Sequence, residues 1–221
     1  MEIKTEQDAK LVHPPWQLCG EGHVFLFRTP TTWAKSNAFL ADYQRKALRV
    51  GVGAMMLVDY QASAVGPYYE LLFIPALFNI KGRYTFSISK IYVSSEASVV
   101  NGKHHWGIPK ELAHFTRTIT DPNREEWEVS LPDGTVFFSV KLEKTRLRIP
   151  ISTGLFPLSI VQQQTMGYTL TRPSASGKAG RVKATDWSIR SDYFPNVAEL
   201  SLLLSTHISS LSMVFPLGTA L

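Results

Sequence analysis

The chain has 221 residues, 44% hydrophobic and 19% charged, a composition that fits one globular domain with a sizeable core and argues against disorder. Its 23 Lys and Arg against 18 Asp and Glu leave a formal charge of +5, scattered with no basic run interleaved with aromatics, so no nucleic-acid partner is expected. The single cysteine, Cys19, excludes an intramolecular disulfide and a Cys-based zinc site and fits a reducing, cytoplasmic setting.

The first ten residues alternate charge and lack the apolar centre of a secretory signal. Residues 1–15 read as a loosely held arm ending in His13-Pro14-Pro15, and Trp16 opens a single domain over 16–221. His23-Val-Phe-Leu-Phe-Arg28 reads as a first strand, stopped by Thr29-Pro30. Thr31 or Thr32 is placed to cap a helix from about Trp33 to about Lys46. Three strands are then expected over Val50–Tyr60, Pro67–Pro75 and Gly82–Val93, each bounded by Gly, Pro, Asn or Ser. Ser94 or Ser95 caps a short helix over Glu96–Val100, with Gly102 placed to end it.

Glu126–Leu131 and Thr135–Leu142 flank Pro132-Asp-Gly134, the clearest hairpin in the chain. Arg172–Gly180, rich in Ser, Gly and Ala, reads as a flexible loop. Leu200, Leu202, Leu204, Ile208, Leu211, Met213 and Phe215 alternate by twos on either side of Ser209-Ser210, the pattern of a long strand with a bulge. Glu199–Gly218 carries His207 and five serines, so a half-buried strand explains it better than a membrane span, and no membrane partner is expected. Few segments have helical length, which excludes a parallel α/β sheet. The fold is predicted to be mainly antiparallel β (α+β), curled into a barrel or cone with a few short helices.

Chemistry concentrates in Asn101–Phe115, where Gly107-Ile108-Pro109 leads into Lys110 and Glu111, and His104, His105, Trp106 and His114 stand close by. Proline fixes its own φ and extends the residue before it, so the approach to Lys110 is set locally. Read by spacing alone, Lys110 is a surface lysine beside a turn, and Glu70 a charge on the wet face of a strand. The apolar neighbours of Glu70 in Tyr68-Tyr69-Glu70-Leu71-Leu72 equally suit a buried acid or base. His104 and His105 are adjacent, so on a regular element they face different ways; one of them is a candidate proton relay or positive charge. Adjacent histidines rarely chelate one ion, and neither a metal nor an organic cofactor is expected. Tyr68, Tyr69, Phe73, Trp106, Met55 and Met56 are candidates for an apolar cavity wall, although most such residues are simply core.

Ile91-Tyr-Val-Ser-Ser-Glu96, Gly102 and Ile108-Pro-Lys-Glu-Leu-Ala113, preceded by Gly66-Pro-Tyr-Tyr-Glu70, resemble the acetoacetate decarboxylase family and its wider superfamily from about Val24 to about Phe115. The resemblance implies an oligomeric, mainly antiparallel barrel or cone. It implies that Lys110 forms a Schiff base with a small-molecule ketone or β-keto acid, and that Glu70 lines the pocket. With Tyr68, Met55, Arg28, Trp106, His104, His105 and Glu111 as substrate contacts, the expected activity is lyase-like: decarboxylation, aldol-type chemistry or dehydration. The physical demand is a neutral amine, since at a reference pKa of ~10.4 only about one lysine in ~2,500 is uncharged at pH 7. Burial and nearby cations can supply the shift, and acetoacetate decarboxylase is itself the standard example of that effect.

The chain also departs from the family pattern. Glu111 stands where the decarboxylases carry a second lysine, and an anion there raises the pKa of Lys110 if it faces the same pocket. A second acidic position falls on Met55, and the expected arginine falls near Gly20, with Arg28 eight residues further on. A positive clamp for a carboxylate and one acid/base group are thus expected to be missing. The alternative expectation is a barrel that binds, isomerises or cyclises an apolar ligand without an imine, with Lys110 charged and paired to Glu111 or Glu70. Self-association is expected from the family and from a barrel with open edges.

Overall fold

The computed structural model describes residues 10–155 and 158–221; of the arm expected over 1–15, residues 1–9 lie outside them. Trp16 is buried, and residues 10–12 are tied to the body by Val12 N–H donating to Asn101 Oδ1 at 2.8 Å and Asn101 Nδ2 donating to the Lys10 carbonyl at 3.1 Å. The first strand, β1, runs over Trp16–Arg28, longer than its apolar half predicts, because Trp16 and Leu18 also turn inward and residues 16–20 pair with the chain at 211–215. Two short helices follow, α1 (Thr31–Asn37) and α2 (Asp42–Ala47), where one was expected. The break lies at Phe39, whose φ is 53°, and it lets Gln44 turn inward. The Gln44 side chain accepts from Ala41 N–H at 2.9 Å and donates to Ser87 Oγ and the Ile88 carbonyl.

Strands β2 (Leu48–Val50), β3 (Val52–Ala62), β4 (Tyr68–Ile74), β5 (Leu77–Ile80), β6 (Arg83–Phe86) and β7 (Lys90–Val93) come next. The expected strand over Gly82–Val93 divides at 87–89 because the chain changes sheets there. Phe86 N–H reaches the Ser159 carbonyl on one side and Ser89 N–H the Phe73 carbonyl on the other. Helix α3 (Glu96–Trp106) is capped by Ser95, whose Oγ accepts from Ser98 N–H, and ends at Gly107 rather than Gly102. Gly107 takes the left-handed conformation, φ 66°, that helix ends favour glycine for.

Then follow β8 (Lys110–Leu112), β9 (His114–Asp121), β10 (Arg124–Ser130), β11 (Val136–Lys144), β12 (Ile149–Ser152), β13 (Ile160–Gln164), β14 (Gly167–Thr171), β15 (Ser174–Ile189), β16 (Ser201–Phe215) and β17 (Thr219–Ala220). The β10–β11 hairpin turns at Gly134, φ 87°, as its Pro-Asp-Gly signal requires. The segment read as a flexible loop is instead the first half of β15. Its small residues are what close pairing with β16 demands: a Cβ at Gly177 would stand 2.7 Å from Ile208 Cγ2. The expected bulge in β16 is present, with Gly20 opposite Leu211, Gly22 opposite Ile208, and Ser210 at φ 51°.

Among the described residues an eleven-stranded sheet runs β8-β7-β4-β3-β1-β16-β15-β11-β10-β9, with β12 on β15, beside a six-stranded sheet β17-β14-β13-β6-β5-β2. Pairings are antiparallel except β7 with β8 and β6 with β13. The first half of β15 pairs with β16 and the second with β11, so β9–β11 fold back over one face of β1, β3 and β4. Phe25, Phe27, Met55, Leu57, Leu71 and Phe73 meet Trp127, Val129, Phe138 and Val140 there. On the other face Trp16, Leu18, Val58, Tyr60, Tyr68, Ile91 and Trp106 form a second core under α3. No helix among the described residues is long and apolar enough to cross a membrane.

The first core ends in a buried charge cluster. Glu125 accepts from the Nε2–H of His23, from Trp127 Nε1 at 3.1 Å, from Lys144 Nζ at 3.0 Å and from Arg117 at 2.5 Å, and Arg117 also grips Asp59 at 2.8 Å and Glu21 at 2.5 Å. Burial alone would raise the Glu125 pKa, but these donors hold it far below the ordinary carboxylate value. Burial keeps His23 below its ordinary pKa, and His207, 4.9 Å from it ring to ring, is pushed down to about 4 by burial and by His23, Lys144 and Arg148, against the opposing pull of Glu21.

Candidate active site

Lys110 and Glu70 come from neighbouring parts of the second core. In β4 the side chains of Tyr68, Glu70 and Leu72 point to one face by the period-two rule, and β8, lying parallel to β7, aims Lys110 at the same space. Lys110 is 4% exposed and Glu70 5%. Lys110 Nζ donates to Glu70 Oε2 at 3.0 Å and to Ser98 Oγ at 2.9 Å, and it stands 5.1 Å from the centre of the Tyr68 ring. Ser98 and Gly102 lie four residues apart on one face of α3. The lysine stem passes over Gly102 so closely that a Cβ there would be 2.7 Å from Lys110 Cδ.

Burial by itself disfavours the ammonium. Glu70 and Tyr68 outweigh it, and the Lys110 pKa lies above its ordinary value, so the resting amine is charged and paired. Burial also pushes Tyr68 up to about 12 and Tyr60 well above its ordinary value, so both hydroxyls stay protonated at neutral pH. The pair faces a cavity of about 100 Å³, walled by Trp16, Leu18, Met56, Ile91, Ile108 and Phe215 among others. Trp106 closes one side, its Nε1 donating to the Pro216 carbonyl at 2.8 Å.

The other expected contacts lie elsewhere. Glu111, next to Lys110 on a strand, points the opposite way and pairs with Lys90 at 2.6 Å, so it leaves the cavity amine alone. Met55 faces the first core with Leu57, and it is the neighbouring Met56 that lines the cavity: a shift of one residue flips a strand side chain, and the position stays apolar. Arg28 sits at the end of β1 beside Thr29, Trp33 and Glu199, away from Lys110. At Gly20 an added Cβ would stand 1.9 Å from the Asp59 carbonyl oxygen, which leaves no room for a clamp. His104 is exposed on α3, His105 is half-buried with its ring 5.5 Å from that of Trp106, and neither lines the cavity. Sequence reasoning missed Ser98, Tyr60 and Trp16; for Ser98 the signal was its i, i+4 relation to Gly102, hidden by ending the helix at Val100. Among the described residues no three His, Cys, Asp or Glu side chains group as a metal site.

The family model for acetoacetate decarboxylase (ADC) matches residues 22–194, which span both halves of the Lys110–Glu70 pair. The chain belongs to the acetoacetate decarboxylase family. No curated protein matches it. Among solved structures, the chain is similar to acetoacetate decarboxylase from Legionella pneumophila, with 13% identity, a TM-score of 0.68, and 94% of this chain and 87% of that one covered. It is similar to an acetoacetate decarboxylase-like enzyme from Sphingomonas wittichii RW1, with 15% identity, TM-score 0.66 and coverage of 99% and 97%. It is also similar to the enduracididine biosynthesis enzyme MppR complexed with the condensation product of pyruvate and imidazole 4-carboxaldehyde, with 15% identity, TM-score 0.60 and coverage of 95% and 90%. At these identities the likeness concerns the fold, a β-rich curled sheet with short helices.

Proposed function

We propose that this member of the acetoacetate decarboxylase family is a lyase-like enzyme in which Lys110 forms an imine with a small-molecule ketone or β-keto acid and Glu70 handles the protons. The observation that carries the reading is a buried amine and carboxylate 3.0 Å apart, both facing a cavity. In apolar surroundings, moving one proton across that bond replaces two buried charges by a neutral amine and a carboxylic acid. The amine adds to the carbonyl carbon. Glu70 then protonates the carbinolamine hydroxyl, which leaves as water, and the product is a protonated imine beside a regenerated carboxylate.

That carboxylate is placed to take a proton from the adjacent carbon, giving an enamine, while Ser98 holds the nitrogen in position. Loss of carbon dioxide, retro-aldol cleavage, aldol addition and dehydration all proceed through this electron sink. That the MppR neighbour is described with a condensation product supports keeping aldol-type bond making beside decarboxylation. Self-association in the cytoplasm belongs to the same proposal; Leu202, Leu203 and Leu204, each about half exposed on β16, suit a contact between copies.

The raised pKa of Lys110 favours one competing reading, a barrel in which a charged lysine only donates a hydrogen bond to an apolar ligand. Exchange of the α-hydrogens of acetone and a longer methyl ketone for deuterium, followed by proton NMR, separates the two. The imine reading predicts exchange by the parent protein, none with Lys110→Met, and a rate lowered by about 10²-fold or more with Glu70→Gln. Folded parent protein that exchanges no ketone overturns it and leaves the non-covalent barrel.

A further inference from the structure

The substrate class can be read from the cavity wall, on the assignment of Lys110 and Glu70 as the reactive pair. Lys110 is the only cation among the described lining residues, and Glu70 already answers its charge, so the pair is neutral as a unit. The other polar groups on the wall, the Tyr60 and Tyr68 hydroxyls, are uncharged at neutral pH. A substrate carboxylate would therefore be buried with no counter-charge left to meet it, which is among the least favourable events in a protein interior. The positions from which a clamp was expected offer none: Gly20 has no room for a side chain, and Arg28 lies at the far end of β1.

Beside the cavity lies an apolar groove of about 580 Å³ lined by Pro150, Ile151, Ala175, Ile208 and Leu211, with Leu158 shared between the two. The strands make them neighbours. Pro173 and Met213 line the cavity, while Ala175 and Leu211, each two residues along on the same face, line the groove, and Ala175 pairs directly with Met213.

We propose that the site takes an uncharged carbonyl compound with an extended apolar chain, whose carbonyl carbon meets Lys110 Nζ and whose chain leaves past Leu158 into the groove. The site discriminates against β-keto carboxylates of the same length. In the covalent step an Nζ–C bond forms and the carbonyl C–O bond breaks. The oxygen leaves as water with two protons drawn from the lysine ammonium by way of Glu70, and no further reactant is consumed.

The test titrates the protein with a straight-chain methyl ketone, the secondary alcohol of the same chain and the fatty acid of equal length, following the fluorescence of Trp16 and Trp106 in the cavity wall. The alcohol forms no imine, so it reports the substrate class alone. Ketone and alcohol are expected to bind about 30-fold or more tightly than the acid, and each methylene that enters the groove to add about threefold to fourfold. Ile151→Ser, at a position 40% exposed that lines the groove and not the cavity, should abolish the chain-length gain and leave the shortest ketone unaffected. An acid that binds as tightly as the alcohol, or affinities that do not rise with chain length, overturn the inference. Preference for the alcohol together with no borohydride-trapped ketone sustains it while removing the imine reading.

Discussion

Replacing Glu70 by Gln keeps the shape of the cavity and removes the charge that holds Lys110 protonated. In the parent protein the lysine pKa lies above 10.5, so the pair's contribution is fully present below the unfolded-state pKa and is lost only as pH rises through the folded-state value. In Glu70→Gln the largest opposing charge is gone and only Tyr68 still works against desolvation, so the Lys110 pKa is expected to fall below its ordinary value. The sign then reverses. Between that lowered pKa and about pH 10.4 the unfolded chain binds the proton and the folded chain does not, so stability rises with pH. By linkage, the deficit of the variant relative to the parent shrinks as pH rises from about 6 to about 10, by about 1.4 kcal/mol for each pH unit in which only the unfolded chain holds the proton. Urea unfolding of both proteins across that range, followed by tryptophan fluorescence, measures it. A deficit that stays constant with pH would refute the reasoning, because it would mean that Lys110 is not a buried amine dependent on Glu70.

Gly102→Ala should press its methyl into the Lys110 stem, costing about 1–3 kcal/mol of stability and slowing α-hydrogen exchange at least about tenfold, with circular dichroism confirming the fold. Glu125→Gln should destabilise the protein by about 3–5 kcal/mol in urea titrations by leaving Arg117 and Lys144 short of their shared partner. Because Glu125 lies across the sheet from the cavity, ketone binding to the folded variant should be unchanged. His207, with a folded-state pKa of about 4, stays neutral while the unfolded chain takes up a proton, so stability should fall as pH drops from about 6.5 to about 4, by about 3 kcal/mol at the lower end. His207→Asn should flatten that slope in pH-dependent thermal melts.

The β-rich fold was legible because its strongest signals are local: the Pro132-Asp-Gly134 turn, the alternation in β16, and Gly66-Pro67 and Pro75 at the two ends of β4. Each names one structure without help from distant residues. The first half of β15 was not legible, since Ser, Ala and Gly carry no apolar period; it is a strand only because β16 and β12 bind it on both edges. The single helix expected over 33–46 divides because Gln44 caps α2 and satisfies the link between two sheets, a tertiary demand that propensity does not encode. At the site, the proline before Lys110 and the apolar company of Glu70 marked both residues. The direction of Glu111 follows from strand alternation once Lys110 is known to point inward. Met55 and Met56 differ only in register, which a lone sequence leaves free and the pairing of β3 with β1 and β4 fixes.

Whether Lys110 is an imine-forming amine is tested most directly by reductive trapping. The protein is incubated with a panel of neutral ketones, diketones and β-keto acids, reduced with borohydride, digested and weighed by peptide mass spectrometry. A ketone-derived adduct is expected on the peptide carrying Lys110, lost in Lys110→Met and formed more readily from the neutral ketones than from the keto acids. Folded protein with no adduct on that peptide from any member of the panel would contradict it.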